Sequence, residues 1–107
     1  MYLENSKTIV VKIGSSLIID EKKIIRKKWI LEFAKDIKNI RRKNKNIIIV
    51  SSGAIALGCK KLNIAKKKLK IDQSQAVASV GQIELMNLFK EVFAIQKINI
   101  SQILLTL

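Results

Sequence analysis

Histidine is absent from the 107-residue sequence, and cysteine occurs once, as Cys59. No catalytic step can therefore run through an imidazole, and no histidine can hold a metal. A zinc site is excluded as well, because one sulfur cannot supply a tetrahedral ligand set. A lone cysteine cannot close an internal disulfide, which makes the cytoplasm the expected compartment. Cys59 itself reads as a small apolar packing residue. Proline is missing entirely, and no repeat or low-complexity linker divides the chain. No run of about 18 uncharged apolar residues is present, so no membrane span is expected. Residues 1–7 lack the basic-then-apolar order of a signal peptide.

Acids are also scarce: 8 Asp and Glu stand against 21 Lys and Arg, a formal charge of +13. Such a balance invites a nucleic-acid reading. Three features oppose it. The cations are nearly all lysine, whereas arginine is the better fork for bases and phosphates. They are spread along the chain, dense only at Lys66-Lys67-Lys68 and Arg41-Arg42-Lys43. The few aromatics do not interleave with those patches, so no stacking platform is visible. The charge reads as a solvated surface, and a nucleic-acid-binding role is the weakest of the functional readings.

Half of the residues are hydrophobic, enough for the core of one domain at most. The most telling stretch runs Ile47-Ile48-Ile49-Val50-Ser51-Ser52-Gly53-Ala54-Ile55-Ala56-Leu57-Gly58. Four β-branched residues in a row predict a strand buried on both faces, the parallel-sheet pattern. The run stops on two serines and a glycine, then turns to helix formers. A strand-to-helix turn of this kind puts free N–H groups and hydroxyls at a helix N-terminus, which suits an anion. Open α/β sheets bind ligands at such places. A plain tight turn with Ser52 as N-cap is the competing reading.

Thr8-Ile9-Val10-Val11-Lys12-Ile13 predicts the first strand, followed by Gly14-Ser15-Ser16. Glycine allows close approach to a phosphate, the serines donate, and Lys12 supplies a fixed positive charge. The spacing is not that of a P-loop. Taken alone, Lys12 is more often an edge lysine reaching water than a catalytic group.

Residues 20–25 read as a polar connection. From 26 to 43 the apolar residues Ile30, Phe33, Ala34, Ile37 and Ile40 recur at helical spacing, with Trp29 on the edge of the stripe. Asn44 is placed to end that helix in the left-handed conformation. Strand, helix and strand with short connections predict a right-handed βαβ unit. A helix over 53–62 follows, then an exposed basic loop over 60–70. Asp72 offers an N-cap, with Gln75 completing a capping box. The helix behind it, over 73–96, carries Val77, Val80, Gly81, Leu85, Leu88, Phe89, Val92 and Phe93 on a wide apolar face. Gly81 costs about 1 kcal/mol relative to alanine in mid-helix, a cost that a close approach by another element would explain. Residues 98–105 are a third strand candidate.

Three separated stretches coincide in order and spacing: Val10-Val11-Lys12-Ile13-Gly14-Ser15-Ser16, then Val50 through Gly58, then Gln75-Ala76-Val77-Ala78-Ser79-Val80-Gly81-Gln82. Together they resemble the amino acid kinase family, and within it the members that act on glutamate. Gln102-Ile103-Leu104-Leu105-Thr106 fits the same pattern. Members acting on aspartate or acetylglutamate carry two glycines after the first lysine, where this chain has Gly14-Ser15-Ser16.

The resemblance implies an α/β fold, a three-layer αβα sandwich on a mainly parallel sheet, of which residues 1–107 are the N-terminal part. It implies transfer of the γ-phosphoryl group of ATP, with Mg²⁺, to the side-chain carboxylate of L-glutamate, the first step of proline synthesis. It also implies a homo-oligomer at full length. Lys12 matches the catalytic lysine on the ATP phosphates, and Gly14 and Ser15 match the ATP-binding loop beside it. Ser52, Gly53 and Ala54 match the glutamate-binding turn. No residue matches a metal ligand. Kinase domains of this family need roughly 250 residues, so the remaining nucleotide-binding groups are expected beyond position 107. A partial reading frame, a piece of a split enzyme and an inactive remnant are all compatible with that expectation.

Overall fold

The computed structural model describes residues 7–65, 67 and 69–101. Strand β1 (Thr8–Ile13) leads through a single 3₁₀ turn (Ser15–Leu17) to helix α1 (Lys27–Arg41). Strand β2 (Asn46–Ser51), helix α2 (Ala54–Leu62) and helix α3 (Ile71–Ile95) follow. The strands pair in parallel, from Thr8 opposite Asn46 to Ile13 opposite Ser51. Parallel neighbours cannot be joined by a hairpin, and α1 is the crossover that joins these two.

Helix α1 forms where the 3.6-residue period predicts it. Ile30, Ala34 and Ile37 are buried along one stripe, while Glu32, Lys35 and Asp36 face solvent. Its end is also as expected: Asn44 adopts φ 64, and its N–H donates to Arg41 O at 2.9 Å. Trp29 stacks on Phe33 at 5.3 Å between ring centroids, and Phe33 meets Phe93 of α3 edge-on at 6.4 Å. Around these rings Ile13, Ile18, Ile30, Leu85, Phe89 and Val92 close the core.

The strands depart from expectation on one side. Val11, Ile47 and Ile49 turn inward and pack against the core, but Val10, Ile48 and Val50 are 62%, 53% and 45% exposed. The expected burial of residues 47–50 on both faces is thus corrected to burial on one face. No element among the described residues packs over the outer face, so alternate side chains reach solvent.

Residues 20–25 are more than a polar connection. Ile19 and Ile25 form an antiparallel bridge. The Asp20 carboxylate closes the turn by accepting from the N–H groups of Lys22 and Ile24, both at 2.9 Å. Lys23 sits at φ 62, and its carbonyl accepts from Lys60 Nζ at 2.6 Å, tying the turn to α2.

Helix α3 begins at Ile71, two residues earlier than expected. Lys70 is the N-cap, and its N–H donates to Gln73 Oε1 at 3.0 Å. Asp72 lies inside the first turn, where its charge complements the dipole. Ile71 opens the helix while remaining 85% exposed. Helix α2 ends at Asn63 in the left-handed conformation, φ 56. Residues 98–101 form no strand, although Ile98 and Ile100 pack against the core in alternation with exposed Asn99 and Ser101. The alternating pattern is there, but no strand among the described residues pairs with it. The rest of that candidate, and the Gln102–Thr106 stretch, lie outside the described residues.

Helices α2 and α3 cross at backbone distance. A Cβ on Gly81 would lie 1.5 Å from Ala54 O, and one on Gly58 would lie 2.1 Å from Val77 O. The mid-helix glycine therefore has the cause expected of it. Ion pairs Lys27–Glu91 (2.9 Å) and Lys61–Glu84 (3.7 Å) link α3 to α1 and α2. Both are solvent-exposed and contribute a few tenths of a kcal/mol at most.

Candidate functional site

Two turns leave the sheet at its carboxyl edge. The first follows Ile13: Gly14 is extended, and the chain then winds through Ser15–Leu17, with Leu17 N–H donating to Gly14 O at 3.1 Å. The second follows Ser51 and enters α2 at Gly53. Because Ile13 and Ser51 are register partners, the two turns start side by side.

Two contacts hold them there. Ser52 N–H donates to Ile13 O at 3.3 Å, and Gly53 lies over the buried Ile18 so closely that a Cβ would stand 3.2 Å from Ile18 Cδ1. Arg26 braces the first turn from outside, its Nε donating to Ser16 O at 2.8 Å. The Gly58–Gly81 crossing fixes α2 from the far side. The position of the second turn is thus set by main-chain contacts on both flanks.

The start of α2 is suited to negative charge. Leu57 N–H donates to Gly53 O at 3.0 Å, leaving the amides of Ala54, Ile55 and Ala56 without intrahelical acceptors. No acidic side chain occupies the first turn to complement the dipole. Ser52 is not the N-cap: Gly53 takes that place, and no side chain caps the helix. Ser52 is exposed, whereas the Ser51 hydroxyl is buried on the inner side with no hydrogen-bond partner among the described residues.

The expected site residues divide into two groups in space. Gly14 and Ser15 stand beside Ser52, Gly53 and Ala54 through the paired turns. Ser15 and Ser16 line a cleft of about 630 Å³ together with Asp20, Glu21, Ala56 and Lys67. Lys12 does not line this cleft. It is exposed on the uncovered face of the sheet, opposite Val50 in register and beside Val10. From there its ammonium is held on a rigid strand one residue from the first turn.

Lys67 was missed by sequence reasoning, which assigned the 66–68 run to solvent. A usable signal was its place in the chain: it follows a helix that begins at the anion turn. Asp20 was likewise hidden in what read as a connection. Among the described residues, no group of His, Cys, Asp and Glu is arranged to hold a metal ion.

Residues 7–107 match the model of the amino acid kinase family. The chain is 73% identical over 107 residues to the glutamate 5-kinase of Pelagibacter ubique (strain HTCC1062), covering all of this chain and 29% of that protein. It is 41% identical over 106 residues to the glutamate 5-kinase of Ruegeria sp. (strain TM1040), covering 98% of this chain and 29% of the relative. Identity to the glutamate 5-kinase of Rhodopseudomonas palustris (strain BisB18) is 44% over 106 residues, covering 98% and 28%. The chain spans under a third of the length of these curated relatives.

Proposed function

The chain belongs to the amino acid kinase family, and from that premise we propose that it is the glutamate-binding part of a glutamate 5-kinase. The proposed reaction passes the γ-phosphoryl group of ATP to the side-chain carboxylate of L-glutamate. A carboxylate oxygen forms the new bond to phosphorus, the bond from phosphorus to the β-phosphate oxygen breaks, and ADP leaves. The nucleophile is already ionised, so the site needs no general base. It needs position and positive charge.

The observation that carries this reading is the pairing of the two turns through the Ser52–Ile13 bond and the Ile18–Gly53 contact. An anionic substrate at one turn and a phosphate chain at the other would lie next to each other. In this proposal Ser52, Gly53 and Ala54 hold glutamate, with the free amides of α2 oriented to its negative charge. Gly14 and Ser15 lie along the ATP phosphates. Lys12 stabilises charge on the phosphoryl group in transit, an interaction stronger in the transition state than before it. Mg²⁺ arrives with ATP as part of the substrate, bound mainly through the phosphates. Since the described residues hold no ligand cluster for it, no step is derived through the ion.

The rest of the enzyme would supply the third layer of the sandwich over the exposed Val10, Ile48 and Val50, together with the nucleotide-base site. A cytoplasmic, homo-oligomeric enzyme is the accompanying proposal; no helix among the described residues is long and apolar enough to cross a membrane.

A hybrid enzyme tests the function directly. Residues 1–107 replace the matching segment of the Pelagibacter relative, 73% identical, and ADP release is measured with ATP, Mg²⁺ and glutamate. Glutamate-dependent turnover is expected. A folded hybrid without turnover would refute the proposal.

A further inference from the structure

A second cleft, of about 360 Å³, opens at the other end of the sheet. Its walls include Lys38, Arg41 and Arg42 from the end of α1, Asn44 from the following turn, and Gln96 and Lys97 from the end of α3. Asn46, the first residue of β2, also lines it. Five residue steps of about 3.3 Å separate Asn46 from Ser51, so this cleft lies about 17 Å from the paired turns. Nothing in the proposed phosphoryl transfer uses it.

The cations in this cleft outnumber what the helix ends require. A helix C-terminus carries roughly half a negative charge, so the ends of α1 and α3 together present about one unit. Five cations line it, Lys38, Arg41, Arg42, Lys45 and Lys97; Lys45 already has an interaction within the protein, and the other four bring four positive charges. The last carbonyls are also already occupied: Lys38 O accepts from Arg42 N–H, and Arg41 O from Asn44 N–H. Phe93 O accepts from Gln96 and Ile98 N–H. Among the described residues that line the cleft, none is acidic. Elsewhere on the helices three lysines are matched, in Lys27–Glu91, Lys35–Glu32 and Lys61–Glu84. Among the described residues, none of Lys38, Arg41, Arg42 and Lys97 has such a partner. The net of about three positive charges converging from two helices on one cavity is a standing repulsion that a polyvalent anion would relieve.

We propose that this cleft binds a phosphate chain, as a site separate from the paired turns. Guanidinium groups fork onto phosphate oxygens, and lysines act beside them as point charges. Here Arg41 and Arg42 supply the forks, Lys38 and Lys97 the point charges, and the Asn44 and Gln96 amides further donors. A volume of about 360 Å³ falls at the lower end of the ~300–1,000 Å³ typical of small-molecule sites, which fits a short phosphate chain.

Isothermal titration of the 107-residue protein at low salt tests the site. Sodium tripolyphosphate and ATP are the two probes, each titrated into the parent and into Lys12→Ala, which removes the charge at the sheet's carboxyl edge. Saturable binding of tripolyphosphate, unchanged by Lys12→Ala and weakened at least tenfold by Arg42→Gln with Lys97→Gln, is the expected result. Equal binding of ATP in the Lys12→Ala background would make a nucleotide's phosphate chain the natural source. Tripolyphosphate binding without ATP binding would make it a free oligophosphate. A control pair, Lys22→Gln with Lys90→Gln, removes the same charge from exposed positions elsewhere. If the control weakens binding as much as the cleft pair does, or if binding never saturates, the site is refuted. Loss of binding on Lys12→Ala alone would assign the anion to the paired turns and overturn the proposal equally.

Discussion

Replacing Gly81 by alanine should destabilise the protein, although helix propensity alone demands the opposite. In an unconstrained helix interior the change would stabilise by about 1 kcal/mol. Here the new Cβ would lie 1.5 Å from Ala54 O, whereas close carbon–oxygen contacts settle near 3.3–3.6 Å. The atom in the way is backbone, so no rotamer change relieves it. Helices α2 and α3 would have to separate by roughly 2 Å, giving up dispersion contacts along their whole crossing. Overpacking typically costs ~1–3 kcal/mol, occasionally more, and a backbone clash this deep belongs at the upper end. A net loss of about 2–4 kcal/mol is expected. Urea unfolding followed by circular dichroism at low salt would measure it.

Gly58→Ala, with its Cβ 2.1 Å from Val77 O, should behave similarly. The double variant should lose less than the sum of the two, because one separation accommodates both methyls. Gly14→Ala is the internal control: no heavy atom lies within 4 Å of its Cβ and φ is −74. It should be neutral or stabilising by up to ~1 kcal/mol. If Gly81→Ala proves as harmless as Gly14→Ala, the main-chain crossing of α2 and α3 is wrong.

Three further outcomes are expected. The 107-residue chain alone should release no glutamate-dependent ADP, because it covers 29% of the length of the Pelagibacter and Ruegeria relatives; turnover by the purified chain would contradict this. In the hybrid enzyme Lys12→Ala should lower kcat strongly, while Ser52→Ala should mainly raise the KM for glutamate, so equal small effects on both constants would refute the assigned roles. The isolated chain should self-associate more as salt rises, since its charge is screened over about 10 Å at ~0.1 M while Val10, Ile48 and Val50 remain exposed; Ile48→Lys should reduce that association in sedimentation experiments, and a salt-insensitive monomer would count against it.

The parts of the fold legible in the sequence are those decided locally. Strand β1, the stripe on α1 and the Asn44 terminator each depend on a few neighbouring residues. Gly81 was legible as an anomaly, and its cause became visible only when α2 was brought against it. One misreading originates in what lies far away along the chain, another in a side chain close by. Ile47 to Val50 have the composition of a strand covered twice, yet coverage is a property of other segments. The start of α3 misled because Asp72 is a good N-cap by type, while the Gln73 side chain captures the Lys70 N–H two residues earlier. At the site, the motif residues stood out because glycine and serine after a buried strand are conspicuous. Lys67 did not, because one lysine in a run of three looks like any other.

The uncovered face of the sheet also has a meaning in time. A ribosome adds about 5–20 residues per second, and in the full-length enzyme proposed above, of which this segment would make up 29% as in the Pelagibacter relative, the rest would follow it. For roughly ten seconds to a minute, Val10, Ile48 and Val50 would wait without a cover on each nascent chain. Lys12 stands among them on the same face. Before it could meet any phosphate, its ammonium would already act as a gatekeeper, keeping the apolar faces of neighbouring nascent chains apart.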